Sequence, residues 1–422
     1  MKNKNKYWLL IYPYVFIFNK GNIVLFYNSR FGSFTYCYSS EITDKLSNPD
    51  NLYSIPIYLK YLQDEKSYSL INNLIHQKCG ELIPYDKDGT KPLSIFPKLI
   101  IDDYGPDDSS NRNYKRFSEL KELILFINGH CRKNCKNCNI SFKQHLWCHK
   151  QLGEIPFEKI RKFLSFLTLS GVLKISITGA DIFSYPELEQ LTFYLKQFPI
   201  LKIFLIHSSL IIDNEDKLKW FVDNKINCDI LFEPKCRKEL IYQVVKIIGK
   251  FHITSRFIMS VTSFEEYEYA NQLSSAYNLE TKIVPIYNGK NRMFFEDNVF
   301  LNKDDIHNIK VSMREIFSHQ FVNTNSFGRL ILSTDEKIYV NINNISIGNI
   351  NDDIHQLVNS QLKKGSGWRN VRNNSVCADC IYQWLCPSTS DYNIVLNQFN
   401  LCSVKLGTSN DKELIMEANH KF

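Results

Sequence analysis

"FINGHCRKNCKNCNISFKQHLWCHK", residues 126–150, places Cys131, Cys135 and Cys138 within eight positions. The lysines and asparagines between them cannot build a core. Three thiolates spaced C-x3-C-x2-C can hold three corners of a metal site, and a [4Fe-4S] cube held in this way leaves one iron open. The run just before them, "ELILFIN" (122–128), reads as a strand. The thiols therefore start at a strand end, and the fold turns on the sheet to which that strand belongs.

From residue 120 the pattern alternates between short β-type runs and helical ones. "VLKISITG", "LKIFLIHS", "NCDILFE", "TSRFIMSV" and "TKIVPIY" follow the first strand, with amphipathic stretches such as "FEKIRKFLSFL", "ELEQLTFYLKQ" and "KELIYQVVKIIG" between them. Six β-α repeats predict an α/β fold, a parallel sheet with right-handed crossovers, curved or closed into a partial (β/α)6 barrel. Ligands in such sheets sit at the carboxyl ends of the strands, where the cysteine loop opens.

The rest of the 422 residues divides around this unit. The apolar run "YWLLIYPYVFIF" reads as a buried strand and, with "IVLFYN" and "FTYCY", predicts a three-stranded meander. It is too short for the ~20 residues of a membrane span and lacks a cleavage site. "SEITDKL" and "SYSLINNLIHQ" read as helices, completing a small α+β domain over 1–100. "DDYGPDDSSNRNYKR" places a linker at 101–119, the barrel takes 120–300, and a cysteine-rich domain with a hairpin, "GRLILSTDEKIYVNINNISIGNI", takes 301–422.

Composition is that of a globular protein, 44% hydrophobic and 14% aromatic. Its net charge of +7 is spread along the chain, so the basic stripe of a nucleic-acid binder is missing. With no export signal in view the expected compartment is the cytoplasm, where thiols stay reduced and metal ligation explains clustered cysteines better than disulfides. Eight of the twelve cysteines fall in two clusters; Cys37, Cys79, Cys228 and Cys236 read as small buried hydrophobes. Arg256 and His207 are polar candidates near strand ends, with a structural role as the plain alternative.

A strand followed by C-x3-C-x2-C in a partial barrel resembles the radical S-adenosylmethionine superfamily. The resemblance implies that Cys131, Cys135 and Cys138 bind a [4Fe-4S] cluster whose open iron is chelated by S-adenosylmethionine, yielding a 5′-deoxyadenosyl radical. A zinc knuckle of Cys131, Cys135, Cys138 and Cys148 or His145 is the alternative, although zinc favours paired C-x2-C units. "ITGADIFSYPEL" (177–188) resembles the segment that binds the methionine amine, which assigns cofactor contact to Gly179, Ala180 and Asp181. Ala180 and Asp181 stand where the family has glycine and glutamate, so weaker cofactor binding is expected. Asn137, where the family usually has an aromatic, and "ILFEP" (230–234), which lacks a Ser-x-Asp, are further departures.

"CADCIYQWLC" (377–386) with Cys402 resembles the SPASM extension of peptide-modifying radical enzymes, with Ser390 and Asn341 at two positions expected to be cysteine. Cys377, Cys380, Cys386 and Cys402 are then one second metal site, iron-sulfur or zinc. The two motifs in order, with the N-terminal strands, resemble the Bacteroidales group of SPASM-type peptide-maturation proteins, some of which are catalytically inactive pseudo-enzymes. That resemblance implies maturation of a ribosomally made peptide, and a winged, leader-binding N-terminal module in which a precursor peptide adds as a strand. The alternative is an inactive member that binds the precursor or an active maturase.

Overall fold

The computed structural model describes residues 6–85, 90–94, 118–133, 135, 138–364, 367–373 and 375–404; the linker read at 101–119 lies almost wholly outside them. Pro13 divides the first apolar run. The Val15 N–H donates to the Tyr12 carbonyl at 3.0 Å across a tight turn, so what reads as one strand is two, β1 (Lys6–Ile11) and β2 (Val15–Lys20). Proline has no N–H for a ladder, and its fixed φ suits a turn. β2, β3 (Ile23–Asn28) and β4 (Ser33–Tyr38) form the antiparallel meander. β1 leaves it and lies between β5 (Ser54–Tyr58) and β6 (Gly80–Pro84) in a second three-stranded sheet. The helices Glu41–Ser47 and Glu65–His76 begin where the Ser40 and Asp64 side chains accept from backbone N–H groups of the first turn.

The six runs after residue 120 fall on β7 (Glu122–Phe126), β8 (Lys174–Thr178), β9 (Leu201–His207), β10 (Asn227–Phe232), β11 (Ser255–Val261) and β12 (Thr281–Pro285). They pair in parallel and in chain order. Helices Phe157–Phe163, Leu188–Leu195, Lys238–Phe251 and Phe264–Tyr277 follow individual strands. Apolar residues at helical spacing, such as Ile241, Val244 and Ile248, pack with Ile177, Phe204 and Ile230 in one core. β7 shows why these strands read as near-continuous apolar runs. Leu123 and Leu125 enter that core while Ile124 and Phe126 enter another on the opposite face, as in a sheet covered on both sides.

β13 (Arg329–Leu332) joins this sheet in parallel beside β7, and β14 (Lys337–Tyr339) and β15 (Gly348–Asn349) extend it antiparallel to nine strands. The sheet thus continues across residue 300, and β13 with β14 is the expected hairpin. The N-terminal meander is equally tied in. Leu25 and Tyr27 of β3 share a core with Ile316, Phe317, Ile381 and Leu385. No helix among the described residues is long and apolar enough to cross a membrane.

Candidate functional site

The cysteine segment is an excursion pinched at its neck. The Gly129 N–H donates to the Gly153 carbonyl (2.9 Å), and the Gln151 N–H to the Gly129 carbonyl (3.0 Å). A Cβ at Gly129 would meet the Gln151 carbonyl oxygen at 2.5 Å, so only glycine lets the two sides approach. From this neck the chain crosses the sheet. Helix Cys138–His145 carries Phe142 onto Ile124, Phe126 and Ile331, and Trp147 then packs on Leu231, Ile258, Val284 and Ile286. Gln144 fastens the far end, donating to the Tyr287 carbonyl and accepting its N–H, both at 2.8 Å.

This path brings thiols to the carboxyl edge of the sheet. Cys135, Cys138 and Cys148 line a cavity of about 540 Å³ with Trp147, His207 and Glu233, a size suited to a small-molecule ligand. Burial pushes the Cys135 thiol up to about 12, with Glu233 adding to it. Burial also raises Cys131 and Cys148, and neighbouring thiols contribute in each case, so the four share one electrostatic environment. Cys135 Sγ lies 3.9 Å from His207 Nε2, which lies 3.8 Å from Glu233 Oε1. Contact with His207, opposed by burial, holds the Glu233 carboxyl below its ordinary range.

The segment 179–181 is stitched to the cysteine loop through Asn128. Its carbonyl accepts the Ala180 N–H (2.9 Å), and its side-chain amide donates to the Asp181 carbonyl (2.7 Å) and Ser184 Oγ (3.0 Å). A Cβ at Gly179 would stand 2.2 Å from Asn128 Oδ1. Ala180 is buried. The Asp181 N–H donates to the His130 carbonyl at 2.9 Å, and its carboxylate accepts the Phe183 N–H at 3.1 Å. Asp181 also lies near enough to Cys131 to raise its thiol.

Cys377, Cys380, Cys386 and Cys402 line one narrow cavity with Arg372 and Asn400. Cys402 arrives through paired bonds of Leu301 with Leu401 and Ser403, each 2.9 Å. Three of the sulfurs accept N–H donors: Cys377 from buried Arg372 (3.8 Å), Cys380 from the Tyr382 backbone (3.4 Å) and Cys402 from Asn400 (3.4 Å). Burial pushes Cys380 up to about 11 and Cys386 up to about 12, while Arg372 pulls both down. N–H donors and a guanidinium around converging thiols suit a negatively charged metal thiolate. Among the described residues, Cys135, His207 and Glu233 are the one set of three Cys, His, Asp or Glu ligand atoms lying within 4.8 Å of one another. The thiols of neither cluster form such a set.

Ser390 and Asn341 meet at Asp391: Ser390 caps the helix Asp391–Val395, and the Asn341 amide donates to the Asp391 carboxylate. Cys79 and Cys228 lie in cores, and Cys37 and Cys236 are half-buried. Arg256 makes a two-point ion pair with Asp229 (3.2 and 2.5 Å), a structural role. His145, whose burial lowers it to about 4, contacts Tyr392 Oη (3.0 Å) and the Pro285 carbonyl (3.2 Å). Glu233 is the residue that sequence reasoning passed over. Its signal was position: it directly follows β10, at the ligand edge.

The sequence matches no protein-family profile and no curated protein sequence. Among solved structures, the chain is similar to Streptococcus suis SuiB bound to precursor peptide SuiA, with 14% identity, a TM-score of 0.46, and coverage of 94% of this chain and 99% of that one. SuiB bound to S-adenosylmethionine is similar at 14% identity and a TM-score of 0.41, with the same coverage.

Proposed function

We propose that this chain is a radical S-adenosylmethionine and SPASM-type protein, of the Bacteroidales peptide-maturation kind, acting in the cytoplasm on a ribosomally made peptide. The observation that carries the reading is that a C-x3-C-x2-C segment leaves the carboxyl end of a strand inside a chain-ordered parallel sheet and covers a cavity there. Cys131, Cys135 and Cys138 would hold a [4Fe-4S] cluster. The C-x3-C-x2-C spacing supports a cube over zinc, which favours paired C-x2-C units. With S-adenosylmethionine the cluster supplies one-electron cleavage of a sulfonium and hydrogen abstraction. The chain's own part is to orient and shield. Trp147 and Phe142 close the inner face of the sheet, and Asp181 would face the cofactor amine.

The C-terminal thiols would hold a second iron-sulfur cluster, with zinc as the rival. The precursor peptide would add to an edge of the N-terminal sheets, where β2, β4, β5 and β6 each leave one side without a partner strand among the described residues. The alternative is an inactive partner of the precursor or of an active maturase. It is favoured by the 179–181 loop, whose Ala180 and Asp181 N–H groups are already committed within the protein. Calorimetry with S-adenosylmethionine on the anaerobically reconstituted chain, with 5′-deoxyadenosine measured alongside, tests the two. Binding that tightens in A180G/D181E and yields 5′-deoxyadenosine supports the enzyme; no binding in either form leaves the partner role.

A further inference from the structure

We propose that Cys135, His207 and Glu233 form a site for a single divalent transition-metal ion of the zinc or iron(II) class. The three residues come from separate segments that the fold brings to one point. Cys135 lies in the excursion, His207 ends β9 and Glu233 follows β10. β9 and β10 are hydrogen-bonded neighbours with His207 opposite Leu231, and parallel strands deliver successive strand-end residues to the same edge.

Sulfur, imidazole nitrogen and carboxylate oxygen are the donors that zinc and its neighbours accept together. Spacing separates this set from the cluster thiols. Metal bonds of about 2.0–2.3 Å place tetrahedral ligands about 3.3–3.8 Å apart. Here Nε2 is 3.9 Å from Sγ and 3.8 Å from Oε1, and all three atoms lie within 4.8 Å. The set therefore closes on one ion with small side-chain movements.

His207 is also held for the task. It is buried, and its Nδ1 lies 2.9 Å from Ser209 Oγ and 3.3 Å from the Ser209 N–H. Metal on Nε2 would take the neutral imidazole with its proton on Nδ1, facing Ser209 Oγ at 2.9 Å, an outer-shell bond common to metal-bound imidazoles, and the Cys135 thiol would lose its proton to solvent. All three ligands line the cavity of about 540 Å³, so the remaining coordination position faces open space, as in sites that keep an exchangeable water. Cys135 belongs to both ligand sets, so this ion and the cube exclude each other, and iron-sulfur supply decides which one the site holds.

The test uses the full chain, made metal-free under anaerobic conditions and titrated with Co²⁺ alone. C131A/C138A removes two cluster corners and leaves the proposed site whole. It should bind one more equivalent of Co²⁺ than C131A/C138A/H207A or C131A/C138A/E233A, with a thiolate-to-cobalt charge-transfer band that accounts for the difference. The C-terminal thiols contribute equally to all three chains and cancel. Equal stoichiometry in the three chains would overturn the proposal. H207A and E233A alone should retain iron after reconstitution with iron and sulfide; loss of that iron would make them cluster ligands and also overturn it. Failure of the unaltered chain to take up iron would instead strike the radical reading and leave the cobalt result standing.

Discussion

Gly179 resembles a cofactor-binding glycine, yet its immediate neighbour is protein. An added Cβ would lie 2.2 Å from Asn128 Oδ1 and 2.9 Å from the Asn128 carbonyl oxygen, and Asn128 cannot retreat without losing its bonds to Asp181 and Ser184. Gly179→Ala should therefore destabilise the fold by about 1–3 kcal/mol, the usual cost of overpacking, measured by denaturant unfolding. A variant as stable as the parent would show that the loop is loose. That Cys135 and Cys138 open at the carboxyl edge of the sheet was legible, because their segment directly follows the first strand run. Glu233 was not, because its importance lies in what β9 and the excursion bring beside it, and a periodic pattern gives the face of a strand without its neighbours.

The excursion between Gly129 and Gly153 brings Cys135, Cys138 and Cys148 to the cavity and, in the proposed reading, is both lid and ligand carrier. Trp147 is its main anchor, 5% exposed and packed against three strands of the inner face. Trp147→Ala should cost about 3–5 kcal/mol and lower the iron retained after reconstitution, since Cys148 and helix Cys138–His145 lose their seat. Iron retention equal to the parent's would separate the lid from the metal site. The six central strands were readable because burial on both faces makes each an apolar run bounded by polar turns. Two features escaped for opposite reasons. Pro13 sits in an unbroken apolar run that hides a turn, and β13 pairs with β7 across a long stretch of sequence that no local pattern reports.

Over the whole molecule, the N-terminal meander packs on the segment that carries Cys380 and Cys386. Tyr36 of β4 donates to Tyr382 Oη at 3.0 Å, and the Val311 N–H donates to Tyr27 Oη at 2.7 Å. Tyr382 lies between Cys380 and Cys386, so metal at these thiols would order the surface on which the meander rests. Metal removal by Cys386→Ala should speed amide exchange across β2, β3 and β4 by at least tenfold, which corresponds to about 1.4 kcal/mol of local stability. Unchanged exchange would mean that the core of Leu25, Ile316 and Phe317 holds without the metal. Whether Cys131, Cys135 and Cys138 hold an iron-sulfur cube is measured by iron counting with Mössbauer spectroscopy after anaerobic reconstitution of the parent chain and the triple alanine variant. The variant should bind about four fewer irons, the content of one cube, with loss of the corresponding spectrum. Zinc at this site and equal iron in the two proteins would contradict it.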